Sequence, residues 1–280
     1  DVGLRALQKV LKPQGRLHIM VYATYGRVGA TMLQQYARLL EVGDTDNEII
    51  DFANTLMELP KDHPLARLLG GLPDFRTKTG LADALLNPRE RSYTVPQLFE
   101  WIARSGLRFG RWVRQAPYLP QCSAFAATPH ASRLTSLATE EQFAAVELFR
   151  GTMIRHSVIV YRNDRPGETG SIQFEDRCWQ NYVPIRLPMT ISVQDRLPPG
   201  AAAVLINQSH TYTDLYLPID KEEKQLLERI DGKRTIADIV RGTGVHERHW
   251  ERARSFFERL WWYDQVVFDA SRQLEQNGKA

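Results

Sequence analysis

Cysteine is scarce in this 280-residue chain: Cys122 and Cys178 are its only two, far apart. That excludes a disulfide framework and an all-cysteine metal site, and it fits a reducing cytoplasm. No run approaches the roughly 20 uninterrupted apolar residues a membrane helix needs. The first residues lack the basic start and apolar core of a signal peptide, so neither a membrane partner nor export is expected. An excess of one charge is missing as well. The 36 basic side chains meet 33 acidic ones for a formal net charge of +3, which marks out no nucleic-acid surface.

Several chemical signatures are also absent. There is no G-x-S-x-G elbow, and the adjacent Ser209 and His210 cannot form a hydrolase geometry. His246-Glu247-Arg248-His249 falls short of a zinc helix, which needs histidines four apart on one face; Trp250 occupies that second position. No metal is expected. Gly26-Arg27-Val28-Gly29 has two glycines after an expected strand but lacks the three-glycine phosphate spacing, and no Lys-Ser/Thr pair follows. It reads as the start of a helix. The chain opens at Asp1 and runs straight into a helical pattern, as if numbering began inside a larger domain, so a truncated gene product is expected.

With 43% hydrophobic residues, the chain has enough for one large or two ordinary cores. Leu4, Leu7, Val10 and Leu11 stand at helical spacing, Pro13-Gln14-Gly15 makes a turn, and residues 16–23 (R-L-H-I-M-V-Y-A) read as a strand buried inside a mostly parallel sheet. From Gly26 to about Leu72 the pattern is helical, capped anew at Asp44 or Thr45 and broken by Pro60 and Pro64. We read it as a helical insertion over the sheet's edge. Thr94-Val95-Pro96 opens a helix that ends at a C-capping Gly106. A strand over 107–114, a helix over 139–150 and a strand over 153–162 follow, the two strands pairing antiparallel at a sheet edge. Residues 164–217 read as a strand-and-loop connector. Helices near 220–230, 235–242 and 247–262, a short strand over 265–268 and a frayed tail over 271–280 complete the chain.

Leu7-Gln8-Lys9-Val10-Leu11-Lys12-Pro13-Gln14-Gly15-Arg16-Leu17 resembles the L-x-x-x-L-K-P-G-G-x-L signature of class I S-adenosylmethionine-dependent methyltransferases, with Gln14 in place of the usual Gly. The T-V-x-x-L-x-x-x-I-x-x-S-G-L helix and the later V-I-V-Y-R strand look like the last helix and the sixth and seventh strands of that fold. The match covers roughly residues 1–163. It implies an α/β fold holding the C-terminal half of a Rossmann-like sheet, with a methyl group passing from S-adenosyl-L-methionine to a small-molecule or protein acceptor. Alignment and exclusion of water would supply most of the catalysis. The glycine-rich loop and acidic residue that hold the cofactor in this family would lie upstream of Asp1, so these residues alone are expected to bind it weakly and to be inactive.

The acceptor side of the pocket remains. Ligands in open α/β sheets sit at the carboxyl ends of the strands, which favours Tyr22, Tyr25 and Arg27 after the first strand. Tyr25 stacks on an acceptor and Arg27 pairs with an anionic group; the plainer alternative has both at the start of the next helix, facing water. The polar stretch Asn87-Pro88-Arg89-Glu90-Arg91-Ser92-Tyr93 stands where such enzymes place a substrate loop, so Asn87, Arg89 and Tyr93 join the candidates; its arginines as a solvated face are the alternative. Residues 218–270 resemble small winged-helix domains, including the peptide-binding type of pyrroloquinoline quinone biosynthesis. Their third helix mixes Arg with Glu and ends in Phe256, Phe257, Leu260, Trp261 and Trp262, which implies packing or a protein contact instead of DNA. The competing function is therefore a non-catalytic peptide- or protein-binding module.

Overall fold

The computed structural model describes residues 2–66, 77–122, 124–164, 172–243 and 249–271. His246–Arg248, the end of the expected helical insertion and the tail from residue 272 lie outside the described residues. The chain forms two compact units, residues 1–109 with 143–163 and residues 110–142 with 164–280.

In the first unit, α1 (Val2–Val10) leads through the proline turn into β1 (Leu17–Ala23), followed by α2 (Val28–Leu39), α3 (Asp46–Met57) and α4 (Lys78–Leu86). Thr45 caps α3, its hydroxyl accepting from the Glu48 amide, which satisfies one of the free N–H groups of a helix's first turn. Next come β2 (Ser92–Tyr93), α5 (Val95–Arg104) and β3 (Leu107–Trp112), through which the boundary between units passes. Thr94 and Gln97 form a reciprocal capping box at the start of α5. Its end is set by Gly106, whose φ of 72° lies in the left-handed region where glycine has no steric penalty. After α6 (Ala131–Thr135), which belongs to the second unit, α7 (Thr139–Arg150) and β4 (Arg155–Arg162) complete the sheet.

The strand order is β2-β1-β4-β3. β1 runs antiparallel to β4, with Ile19 opposite Val158 and Val21 opposite His156, and parallel to β2 over Tyr22 and Ala23. The sheet is therefore mixed, a correction to the mostly parallel surroundings expected for residues 16–23. An apolar octet alone does not state strand direction: burial sets its composition, while direction is set by partners far along the chain. One face carries Ile19, Ala23, Val158 and Val160, all buried, the Ile and Val side chains each contributing about 1.5–3 kcal/mol by leaving water. Phe99, Phe109 and Phe143 form an aromatic cluster with centroids 4.8–6.3 Å apart. The other face shows His18, Met20, Ser157 and Ile159, exposed or half-buried. The helices α2, α3 and α4 share a core of Leu33, Ala37, Phe52, Leu56, Leu81 and Leu85.

The second unit contains β5 (Val183–Arg186), β6 (Thr190–Val193), β7 (Ala203–Asn207) and β8 (Leu217–Ile219), then α8 (Lys221–Glu228), α9 (Ile236–Arg241), α10 (His249–Trp262) and β9 (Val266–Asp269). β6, β7 and β8 make an antiparallel meander, and β5 pairs antiparallel with β9. Phe256, Phe257 and Leu260 of α10 are fully buried with Leu205, Leu217, Ile236 and Ile239, so most of the aromatic stripe serves packing. Asp220 and Thr235 cap α8 and α9 in further capping boxes.

Within this unit, Asp264 fastens the 110–118 segment to the turn after α10. Its carboxylate accepts from the Ala116 amide at 2.9 Å and faces the Arg111 guanidinium at 3.5 Å. Gln115 Nε2 donates to the Trp261 carbonyl at 2.6 Å, and Arg111 lies 4.0 Å over the Trp261 ring. Asp264 is only 3% exposed. Burial pushes its carboxyl up to about 7, against the pull of the Ala116 amide and Arg111.

Candidate acceptor site

The predicted residues come from two stretches sixty positions apart, 22–27 and 87–93, and the sheet brings them together. Ala23 stands opposite Tyr93 and Tyr22 opposite Ser92 in the parallel ladder. The Thr24 amide donates to the Tyr93 carbonyl at 3.1 Å. Both stretches thus meet at the carboxyl end of β1, where open α/β sheets bind their ligands.

Gly26 and Gly29 shape this end by letting backbones approach. A Cβ on Gly26 would stand 1.9 Å from the Met153 carbonyl oxygen, and one on Gly29 would stand 2.4 Å from the Leu65 amide nitrogen. The space that a phosphate-binding glycine loop leaves to its ligand is here filled by the protein's own main chain. These glycines serve packing, which accounts for their spacing in a turn that lacks the phosphate pattern.

Arg27 is 2% exposed. Its Nη2 donates to Glu90 Oε1 at 2.7 Å, and its guanidinium carbon lies 3.7 Å from the Tyr22 ring centroid. Gln34 Nε2 donates to the same Glu90 oxygen at 2.9 Å and to the Ala84 carbonyl at 3.0 Å. Glu90, in the other half of the site, thus meets the Arg27 charge in a nearly water-free setting. Arg27 does not face water. Tyr25 is 38% exposed at the helix start, and Tyr22 is half-buried beneath Arg27.

Asn87 and Arg89 are exposed; Asn87 Oδ1 accepts from the Arg89 amide at 3.0 Å, a short turn that turns the loop back toward β2. Tyr93 is half-buried, stacked on Trp101 at 5.1 Å with Arg91 over its ring at 4.8 Å. The side chains that present chemistry to solvent at this end are therefore Tyr25, Asn87, Arg89, Arg91 and part of Tyr93.

Beneath them lies a pair that sequence reasoning missed. Glu147 on α7 and His156 on β4 are 1% and 0% exposed. Glu147 Oε2 accepts from the Val95 amide at 2.7 Å. His156 Nε2 lies 3.0 Å from the Tyr93 carbonyl and 3.1 Å from Glu147 Oε1. Both neighbours are acceptors, so Nε2 carries the proton. The pair grips the main chain on either side of Thr94 and so fixes where Tyr93 stands. A Glu nine residues before a His, one on a helix and one on a strand, leaves no local spacing signal that could have found it. Among the described residues no group of three or more His, Cys, Asp or Glu side chains is placed to hold a metal ion, and no helix is long and apolar enough to cross a membrane.

No family model matches the sequence. The chain is similar to the PKMT2 methyltransferase of Rickettsia typhi, whose solved structure superposes with a TM-score of 0.56 over 95% of this chain at 12% identity. It shares its fold with a methyltransferase. A second PKMT2 structure, in complex with AdoHcy, matches with a TM-score of 0.55, also at 12% identity and 95% coverage. In sequence, an uncharacterised protein of Synechococcus is 27% identical over 172 residues, 59% of this chain. The chain spans about half the length of the PKMT2 structures, 53% and 54%, and 41% of the Synechococcus protein.

Proposed function

We propose that these residues form the acceptor side of an S-adenosylmethionine-dependent methyltransferase whose cofactor-binding half lies upstream of Asp1. The observation that carries this reading is the shared fold with PKMT2, one of whose structures holds AdoHcy, the demethylated form of that cofactor. The convergence of residues 22–27 and 87–93 at the carboxyl end of β1 supports it. Among the described residues, the two-glycine turn after β1 is packed against protein main chain and leaves a cofactor no room at that turn. In this reading the chain's own contribution is to seat the acceptor.

In that role Tyr25 and Tyr93 offer aromatic surfaces, and Arg89, with Asn87 ordering its turn, offers an exposed charge to a small-molecule or protein acceptor. Tyr22 and Arg27 act from beneath, tying the two halves of the site through Glu90. Holding the acceptor's nucleophile in line and away from water is most of what a methyl transfer asks of side chains.

The second unit carries a second reading, that of a winged-helix-like module for a peptide or protein partner. A cavity of about 210 Å³ between α8, α9 and α10, lined by Glu222, Leu226, Val240, Thr243, Arg252 and Ala253, favours it: an apolar floor rimmed by charge accommodates an aliphatic side chain with a polar flank. Calorimetric titration of S-adenosylmethionine into the chain extended upstream by its natural sequence separates the readings. Heat at micromolar ligand supports the methyltransferase; none at millimolar ligand overturns it and leaves the binding module.

A further inference from the structure

Charges at the carboxyl end of β1 are sorted by sign. The carboxylates of Glu90 and Glu147 turn inward, Glu90 to Arg27 and Gln34, Glu147 to the Val95 amide and His156. The arginines on either side of Glu90 stay out. Arg89 and Arg91 are exposed, and so is Arg155 at the start of β4. Among the described residues none of these three guanidinium groups is paired with a carboxylate. Asp83 on α4, held by Asn87 Nδ2 at 3.5 Å, pairs with none of them.

The sheet sets their spacing. Ser92, next to Arg91, stands opposite Tyr22 in the β2–β1 ladder, and Tyr22 stands opposite Arg155 in the β1–β4 ladder. Arg91 and Arg155 therefore leave the backbone two strand spacings apart, roughly 10 Å. Arg91 is also held in place: its guanidinium lies 4.8 Å over Tyr93, whose ring stacks on Trp101 at 5.1 Å. An arginine stacked in this way keeps the N–H edges of its planar fork for a carboxylate and loses less freedom on binding one.

One exposed arginine meeting one carboxylate gains little in water. Several, with no acid among them, add their fields and attract a chain that carries several negative charges. In an extended polypeptide, acidic side chains two and four positions apart lie on one side, about 7 and 13 Å from each other, which brackets the spacing of Arg91 and Arg155. We propose that the carboxyl end of β1 binds an acidic segment of a protein, its carboxylates shared between Arg91 with Arg89 on one side and Arg155 on the other. Binding follows from the placement of the arginines alone. That the segment belongs to the methyl acceptor rests on the methyltransferase reading, and it narrows the acceptor to a protein with acidic residues near the methylated atom.

Fluorescence anisotropy of a hexaglutamate peptide carrying an uncharged dye tests this in the 280-residue chain. Binding at low salt weakens at least roughly tenfold when the ionic strength is raised severalfold, and a hexaglutamine peptide competes at least tenfold less well. Arg91→Gln and Arg155→Gln, both at exposed positions, each weaken binding at least threefold and together at least tenfold. Lys9→Gln combined with Lys12→Gln, which removes two exposed cations ahead of β1, changes it less than twofold. No binding by the wild-type chain, or equal losses from the two pairs of substitutions, overturns the proposal. So does tighter binding of an oligothymidylate that Arg91→Gln and Arg155→Gln weaken, which makes the ligand a nucleic acid. Peptide binding that needs both arginines, without uptake of S-adenosylmethionine by the chain extended upstream, keeps the site and removes its acceptor role. Cofactor uptake without peptide binding leaves the methyltransferase reading standing and overturns this one.

Discussion

Asp264 makes the second unit lose stability as pH rises through neutrality. Its carboxyl is raised from an ordinary value of 3.8 to about 7 because burial penalises the charged form. The folded chain therefore keeps a proton that the unfolded chain has already released, and unfolding gives that proton up. Stability attached to such a group is full below about pH 4 and falls up to about pH 7, at no more than about 1.4 kcal/mol per pH unit and about 4 kcal/mol in total. Asp220, Asp231 and Glu48, all lowered by hydrogen bonds, act in the opposite sense, but at pH values below the ordinary carboxylate range. Glu258, raised from its ordinary 4.5 by burial, acts in the same sense as Asp264, so the slope that Asp264→Asn removes is the part belonging to Asp264. Urea unfolding followed by tryptophan fluorescence at pH 5, 6, 7 and 8 reads the effect. Asp264→Asn removes that titration and reduces the slope between pH 5 and 7. It also has one oxygen fewer to accept from Ala116 and its neighbours, a pH-independent cost of about 1–3 kcal/mol. Wild-type stability that is flat or rising from pH 5 to 7, or an Asn variant with the wild-type slope, refutes the reasoning.

Three further outcomes follow from the first unit. Gly26→Ala drives a Cβ into the Met153 carbonyl and costs about 3 kcal/mol or more, beyond ordinary overpacking, whereas Gly3→Ala, with nothing within 4 Å, is neutral or stabilises α1 by up to about 1 kcal/mol; thermal melts distinguish them. Glu147→Ala strands the Val95 amide and takes one acceptor from His156, costing about 3 kcal/mol in denaturant unfolding. Arg27→Met and Glu90→Leu each leave a partner's charge poorly matched and cost about 3 kcal/mol, while the double variant loses less than the two singles added, because a buried ion pair replaced by apolar groups is often nearly neutral.

Local signals carried much of this fold. The proline turn before β1, the Thr94 cap, the Gly106 stop and the limits of α7 were legible because each is decided within four or five residues. The helices of the second unit showed through their 3.6-residue period. What stayed hidden was decided at long range. β2 is two residues long and exists only because β1 lies beside it. The strands β5 to β8 sit among prolines and charges that mask their alternation. Arg27 looked like an anion-binding group because its partner, Glu90, stands 63 positions away. Residues 110–142 looked continuous with the first sheet, although Asp264, 148 positions beyond Ala116, holds their start in the second unit. The candidate site was legible as two separate stretches; their meeting at one strand end was not.

The most direct test of the acceptor-side reading is methyl transfer from radiolabelled S-adenosylmethionine by the chain extended through its upstream half, using its own cell extract as the source of acceptor. Tyr25→Ala and Tyr93→Ala should cut label transfer at least tenfold while calorimetry finds cofactor affinity within twofold of wild type. Full transfer by both variants, or cofactor affinity that falls in step with transfer, would contradict the placement of the acceptor at the end of β1.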